Sequence, residues 1–414
     1  MSNTFSTPSP LYGDETDDLG QHFYYHEGRR MPAQGNYFLP ADQEEFDRLE
    51  SVHQMTTAVL GNLFWGPVEK KLIPRPSGRR RCVLDVGTGT GSWVREMADK
   101  YEKADFVGVD IVPIPPPASA IAEMGVGSLL RTTYEEPVDR SHSMYSGARF
   151  AMSSENLAAM FLGTPTPTPT GLPATPGPYD YGTPVYGAPA YGTPAQTPHS
   201  SYGTPQQTEV QYVERDNVRF EIQDISEGLE FPDGVFDIVH CRYVLTLGVP
   251  NYKAAIGELL RVLRPGGLLL MAESSVPFCL SDGSDPPLGT ATRELIEIVR
   301  ASIKEAGLDP ELRLKLSSEF IDNPRIDKME VREFALPLGD WTTDPNLHAV
   351  GRNGLENLAV GLRSLTPLLR QVGYDDAMIS MLAARLHDEW DINETGCGIG
   401  KSFLCTFVWA TKQR

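Results

Sequence analysis

Asp85-Val86-Gly87-Thr88-Gly89-Thr90-Gly91 closes a short apolar run and opens a polar-apolar periodic one. Glycines there let backbone approach a ligand that a Cβ would exclude, and the helix that follows offers free amides. A dinucleotide loop, G-x-G-x-x-G/A, needs Gly or Ala at position 92. This chain has Ser92, with its third glycine at 91. It also has Asp85 two residues before the first glycine, where a carboxylate suits a ligand carrying an ammonium group. Asp110, 19 residues after Gly91 and at the end of a second apolar run, can accept from both hydroxyls of a ribose. Asp224, after the run VRFEI, can accept from an adenine amino group. The chemistry implied is the grip of a nucleoside that also bears an amino-acid-like charge.

The elements that must hold these residues follow from local pattern. Arg81–Val86 is β-branched and apolar, as a strand buried on both faces is. Residues 92–101 fit a helix, and 104–110, 218–222, 236–240 and 268–273 four further strands. A helix over 251–263 precedes the last of these and is closed by Arg264-Pro265-Gly266-Gly267. A helix is predicted over 43–64, with Phe46, Leu49, Val52 and Leu60 on one face and Asp42 as its cap. Later helices are expected at about 292–306, 355–371 and 376–390, and two late strands at about 329–338 and 402–410. Strands alternating with helices, with one glycine-rich loop after the first strand, describe an α/β fold with an open, doubly wound, mostly parallel sheet. The two late strands are expected at its edge.

Phe231-Pro232-Asp233-Gly234-Val235-Phe236-Asp237 and Leu263-Arg264-Pro265-Gly266-Gly267 complete a series of five elements. In this order they resemble the class I S-adenosylmethionine-dependent methyltransferases, over about 82–110 and 218–273. A closer resemblance is to the fungal LaeA-like methyltransferases, regulators of secondary metabolism and development. It rests on Tyr37-Phe38-Leu39-Pro40 followed by Glu44, Glu45, Arg48, Leu49 and His53, and on GTGTGSW with Trp93. Gly108-Val109-Asp110-Ile111 running into Pro113 and His240-Cys241-Arg242 complete it. The resemblance implies a seven-stranded Rossmann-like sheet and S-adenosyl-L-methionine as cofactor. It implies that Asp85 helps to hold the cofactor's ammonium, that Gly87, Thr88, Gly89 and Gly91 pass near its methionine part, that Asp110 with Ile111 holds the ribose, and that Asp224 with Ile225 holds the adenine. His240 and Arg242 follow the fourth strand, where methyl and acceptor should meet. They are the candidate catalytic residues, and His240 also a cofactor contact, since a neutral imidazole can take a proton from a nucleophile. No metal is expected. Tyr37 and His53 are candidates to close over the cofactor, whereas Trp93 is expected in the core.

The family's proline-rich turn leads almost directly to the strand matching VRFEI, but here residues 117–208 intervene. Eleven of the 34 prolines lie between Thr164 and Pro205, Asp180 is the sole charge in 156–207, and a Tyr-Gly-(Thr/Ala)-Pro unit recurs at Tyr181, Tyr186, Tyr191 and Tyr202. Proline lacks the amide donor and glycine adds backbone entropy, so a disordered insertion is expected, apart from a short helix near 153–162. Residues 1–20 are expected to be a disordered tail. The predicted organisation is one methyltransferase domain formed by 21–116 and 209–414, with cap helices within about 289–392.

With 36 basic against 55 acidic side chains, the net charge of −19 argues against constitutive nucleic-acid binding. Five scattered cysteines form neither a disulfide framework nor a zinc spacing. The absence of a signal pattern and of a long apolar run leads to an intracellular expectation, cytoplasmic or nuclear, with no membrane partner. The expected partner is a small-molecule or protein methyl acceptor, with a regulatory protein partner as a second. Arg79-Arg80-Arg81 with Lys70 and Lys71 is read as a solvated approach to the first strand, or as a nuclear-import or partner patch.

Overall fold

The computed structural model describes residues 21–35, 37–116, 214–280, 282–321, 323–339, 341–390 and 400–414. The expectations placed on the tail 1–20, on the insertion 117–208 and on the helix near 153–162 lie outside the described residues.

A hairpin that sequence pattern did not predict opens the structure, β1 (Phe23–His26) against β2 (Arg29–Pro32). Helix α1 (Gln43–Leu60) begins as expected, with the Asp42 side chain accepting from the Glu45 amide. It ends four residues early, because Gly61 takes φ 65° and stops it with a left-handed cap. Then follow α2 (Val68–Leu72), β3 (Arg81–Val86), α3 (Ser92–Lys100) and β4 (Ala104–Asp110). Beyond the insertion come β5 (Val218–Ile222), β6 (Phe236–Arg242), the single turn α4 (Leu245–Gly248), α5 (Tyr252–Val262) and β7 (Leu263–Ser274).

These five strands run parallel in the order β5, β4, β3, β6, β7. Their side chains alternate between two faces. Val83, Phe106 and Ile238 pack with Trp93, Val94 and Met97 of α3, whereas Leu84, Val107 and Val239 pack with Ile256, Leu259 and Leu260 of α5. Helices on both faces of a parallel sheet are the doubly wound arrangement predicted from the sequence.

The remaining elements are β8 (Cys279–Leu280), α6 (Ala291–Glu305), α7 (Leu312–Lys315), α8 (Ser318–Ile321), β9 (Ile326–Leu338), α9 (Pro345–Ser364), α10 (Thr366–Gln371), α11 (Asp376–Trp390) and β10 (Lys401–Lys412). One expectation is corrected here. β10 is not an edge strand: it lies antiparallel between β7 and β9, with two-residue β8 pairing its first residues. The sheet therefore has eight strands, seven of them the predicted ones. The apolar run from Phe403 to Ala410 needs cover on both sides, whereas β9 carries exposed Glu330, Arg332 and Glu333 and tolerates the edge. Helices α6, α9, α10 and α11 enclose a core of their own, with Leu295, Val299, Leu358, Leu369 and Leu386, and this core includes Leu39 and Phe278.

Candidate active site

The glycine loop leaves β3 and turns into α3. The amides of Gly87 and Thr88 both donate to the carbonyl of Val109 on β4, at 2.9 and 3.0 Å, which ties the loop to the neighbouring strand. Gly87, Gly89 and Gly91 have φ of 66°, 57° and 75°, a region that disfavours any other residue. Packing separates their roles. A Cβ on Gly87 would stand 2.3 Å from Val244 Cγ2, and one on Gly91 would stand 2.7 Å from Phe220 Cζ. A Cβ on Gly89 would meet only Leu49 Cδ1, at an ordinary 3.6 Å. Gly87, Thr88 and Gly89 line a cavity of about 300 Å³, whereas Gly91 lies behind it as the N-cap of α3.

Asp85, Asp110, Ile111, Asp224, Ile225, His240 and Arg242 all line the same cavity. Parallel register sets Asp85 directly beside His240 of β6. Asp85 is 3% exposed; its Oδ1 lies 2.7 Å from His240 Nδ1, and its Oδ2 accepts from the Thr88 hydroxyl at 2.7 Å. Both oxygens are thus engaged, and an ammonium can be met only by their remaining lone pairs. Asp110 ends β4. Its Oδ2 accepts from the Gly89 amide at 2.7 Å and its Oδ1 from its neighbour Ile111 at 2.8 Å. Burial pushes its carboxyl up to about 6, against the pull of the backbone amides of Gly89, Ile111 and Val112. Asp224 Oδ1 accepts from the Ser226 amide at 2.7 Å. Gly35, beyond the hairpin, approaches both Ile111 and Asp224 closely: a Cβ there would stand 3.3 Å from Ile111 and 3.4 Å from Asp224 Oδ2.

The His240 ring stacks on Trp93, with centroids 3.9 Å apart and planes 10° apart. Trp93 is buried as expected, and its indole donates to Leu63 O at 2.8 Å. Burial holds the His240 imidazole below its ordinary value, against the opposing charge and hydrogen bond of Asp85. Arg242 Nη2 lies 2.8 Å from Nδ1 of His53, a buried residue of α1, and the other ring nitrogen of His53 lies 3.2 Å from Glu96 on α3. Donation from Arg242 requires His53 Nδ1 to be the acceptor, which leaves the proton on Nε2. Glu96 is held below the ordinary carboxylate value, chiefly by the neighbouring His53 side chain.

Helix α1 covers the loop through further contacts. Glu50 accepts from the hydroxyls of Thr90 and Ser92. Glu45, 1% exposed, receives both Nε and Nη2 of Arg48 at 2.8 and 2.6 Å, and the Tyr37 hydroxyl at 3.4 Å. Asn357 of α9 donates to Arg48 O at 2.7 Å. Much of the cavity wall is apolar, with Phe38, Leu39, Val276, Val299, Leu358 and Phe403 among the lining residues. Tyr243 also lines the cavity, with φ 61°, a left-handed conformation, and its amide donates to Ala272 O at 2.8 Å. Buried Glu273 secures the next turn by accepting from the Leu245 and Thr246 amides and the Thr246 hydroxyl.

A family profile described as a methyltransferase domain matches residues 68–295, more than half of the chain, from α2 into the first turn of α6, and includes Asp85, Asp110, Asp224 and the glycine loop. The chain belongs to this methyltransferase family. Among curated relatives it is similar to the methyltransferase pytC of Aspergillus terreus, 22% identical over 89% of this chain and 83% of that one. It is also similar to the protein-methionine methyltransferase laeA of Emericella nidulans, 37% identical over 111 residues, 26% of this chain and 27% of that one. A solved structure of Haemonchus contortus phosphoethanolamine N-methyltransferase 2, in complex with phosphomonomethylethanolamine and S-adenosylhomocysteine, aligns at 13% identity over 93% of this chain and 62% of that one, with a TM-score of 0.36. The donor set of this methyltransferase domain fits S-adenosylmethionine: carboxylates at the ends of β3 and β4 face one cavity, and the loop's Gly89 leaves room there for a ligand.

Several residues of the site had no local signal. Asn357 reaches α1 from 309 residues away, and Glu96 and Glu50 sit on helix faces that look solvent-directed in sequence. The stripe Glu45, Arg48, His53 and Thr56 does recur at helical spacing along α1, on a face where apolar residues alone would be expected of a core helix. That polar stripe is the legible trace of a helix placed over a site.

Proposed function

We propose that the chain binds S-adenosyl-L-methionine and transfers its methyl group to an acceptor in the same cavity. Bound, this cofactor supplies an electrophilic methyl on a sulfonium. Asp110 with Ile111 orients the ribose, Asp224 with Ile225 receives the adenine, and Asp85 with Gly87, Thr88 and Gly89 receives the amino-acid end. Helix α1 excludes water from the transfer, so that positioning and desolvation lower the barrier. His240 is the proposed proton acceptor: donation of Nδ1–H to Asp85 fixes the tautomer that leaves Nε2 with its lone pair, and burial keeps the ring neutral near pH 7. Arg242 is a positioning residue that holds α1 through His53. The observation that carries the reading is the Asp110 carboxylate, fixed between two amides at the strand tip and facing the cavity shared with the Asp85 and His240 pair.

The apolar lining supports a soft or neutral nucleophile, and a proton acceptor at His240 supports one that carries a hydrogen, a hydroxyl, thiol or amine, since the thioether implied by the name of the similar protein-methionine methyltransferase would need no base. Calorimetric titration with the cofactor and its demethylated product tests the reading. Absence of binding, or equal binding by Asp110→Ala, would refute it, and transfer of a labelled methyl to protein or metabolite extract would name the acceptor.

A second reading is a cofactor-binding module that regulates by assembling a complex, with little turnover of its own. The similarity to a Coprinopsis cinerea protein named a secondary metabolism regulator, 23% identical over 87% of this chain and 67% of that one, favours it. In both readings residues 21–116 and 209–414 form one domain and 117–208 an insertion. Removing 150–208 separates them: unchanged turnover with lost association favours the module. Among the described residues, Cys82, Cys241, Cys279 and Cys405 are free thiols. Among the described residues, no helix is long and apolar enough to cross a membrane.

A further inference from the structure

The end of the sheet opposite the cavity collects positive charge that the proposed chemistry does not use. Asp237, the second residue of β6, is 2% exposed and is surrounded by three guanidinium groups. Its Oδ1 accepts from Arg75, from Arg81 at 2.9 Å and from Arg264 at 2.8 Å, while Oδ2 accepts from the Cys82 amide at 3.0 Å. One carboxylate faces three cations, so the cluster keeps a net positive charge. Lys71 adds to it, with Nζ donating to Gly266 O at 2.5 Å. Lys71 is held below its ordinary value by burial first and then by Arg414 and Arg81, with Asp237 and Asp327 opposing. Lys70, Arg79 and Arg414 are exposed at the same end and have no carboxylate partner among the described residues. Arg80 is excluded from the count, because it pairs with Asp105.

Within this patch stands an apolar side chain. Ile73 is 59% exposed, between Lys71 and Arg75, and its carbonyl accepts from Arg81 Nε at 3.0 Å. An apolar anchor beside a cluster of net positive charge is suited to a partner that brings a hydrophobic residue among carboxylates. On a chain of net charge −19, the remaining surface repels such a partner and this end attracts it, which steers encounter to one face. A duplex is a poorer match, since the same net charge opposes a polyanion much larger than the patch.

We propose that the strand-start end of the sheet, formed by Lys70, Lys71, Ile73, Arg79 and Arg414 over the arginine cluster on Asp237, is a docking surface for an acidic segment of a partner protein containing an apolar residue. The site is separated from the chemistry by the length of the parallel strands. Arg81 begins β3 and Asp85 lies near its far end, roughly 13 Å away at about 3.3 Å per residue. Docking there leaves the cavity accessible.

The probe is a short fluorescein-labelled peptide rich in glutamate with one central leucine, read by anisotropy with the full chain. Saturable binding is expected, weakening steeply with added salt. The triple variant Lys70→Glu, Arg79→Glu, Arg414→Glu should weaken it at least about tenfold, and Ile73→Ser about threefold to tenfold. These residues lie outside the cavity, so cofactor affinity should stay unchanged in both variants and report that they fold. Absence of peptide binding, or binding indifferent to charge reversal, overturns the proposal. So does tighter binding of a labelled oligonucleotide at the same salt. Neutralising Asp14, Glu15, Asp17 and Asp18 in the full chain should leave peptide affinity as it was. A large gain would assign the surface to the chain's own acidic segment and overturn the assignment to a partner.

Discussion

His240 Nδ1 lies 2.7 Å from Asp85 Oδ1, with the imidazole stacked on Trp93. The pair exists because two parallel strands bring these residues into one register position. A shift of one residue in either strand would turn one of the side chains to the other face. His240→Phe keeps a ring against Trp93 and removes both nitrogens. Labelled-methyl assays should then show turnover reduced about a hundredfold or more, with the unfolding midpoint lowered, because buried Asp85 loses one partner and keeps only the Thr88 hydroxyl. Wild-type turnover in this variant would make His240 a structural residue.

The Asp110 carboxyl, pushed up to about 6 by burial, gives the site a pH dependence. The folded protein keeps this proton to a higher pH than the unfolded chain, whose ordinary value is 3.8. Its contribution to the stability of the ligand-free protein is therefore greatest below pH 3.8 and is lost as pH rises through about 6. Cofactor binding has the opposite sign, since the ionised carboxylate accepts the ribose hydroxyls. Calorimetry should show affinity constant above about pH 7 and falling toward tenfold per pH unit well below 6. Asp110→Asn should bind more weakly and without this dependence.

Gly87→Ala puts a methyl 2.3 Å from Val244 Cγ2 at a backbone angle that alanine avoids. Denaturant melts should show a loss of about 2 to 4 kcal/mol. Val244→Ala in the same chain should return the part due to the clash and leave the part due to φ. Full recovery would mean that the angle costs nothing there.

Buried Glu45 and Arg48, whose side chain is 15% exposed, form an ion pair at the cavity. Glu45→Ala leaves Arg48 without its counter-charge and should cost about 3 kcal/mol in a urea melt, while replacing both residues with apolar ones of similar size should cost much less. If both variants lose stability equally, the pair is held by packing and not by charge.

Much of this molecule was legible in its residues. The strands announce themselves because those buried on both faces are nearly pure apolar runs, and the loop because Gly87, Gly89 and Gly91 stand where other residues are strained. Asp110 was placed at a strand tip by the apolar run that it ends and by its distance from that loop. Boundaries were less legible: α1 stops at Leu60 because Gly61 adopts a left-handed cap, a choice that apolar periodicity over 43–64 does not register. The hairpin β1 and β2 was not predicted, since its strands are four residues each and largely exposed.

By itself the sequence determined the layered α/β fold, the position of the glycine loop and the three aspartates, because each depends on residues within one strand-turn-helix unit. Tertiary structure alone decided what those residues do to one another. Strand register joins Asp85 to His240, and a helix from the chain's beginning sets His53 on Arg242. Packing against Val244 and Phe220, from distant strands and turns, shows why two of the three glycines cannot change. The three arginines on Asp237 meet only when β3, β6 and β7 align and the segment after α2 brings Arg75 to them. Such contacts are set by the geometry of separate elements, and no spacing along the chain records them.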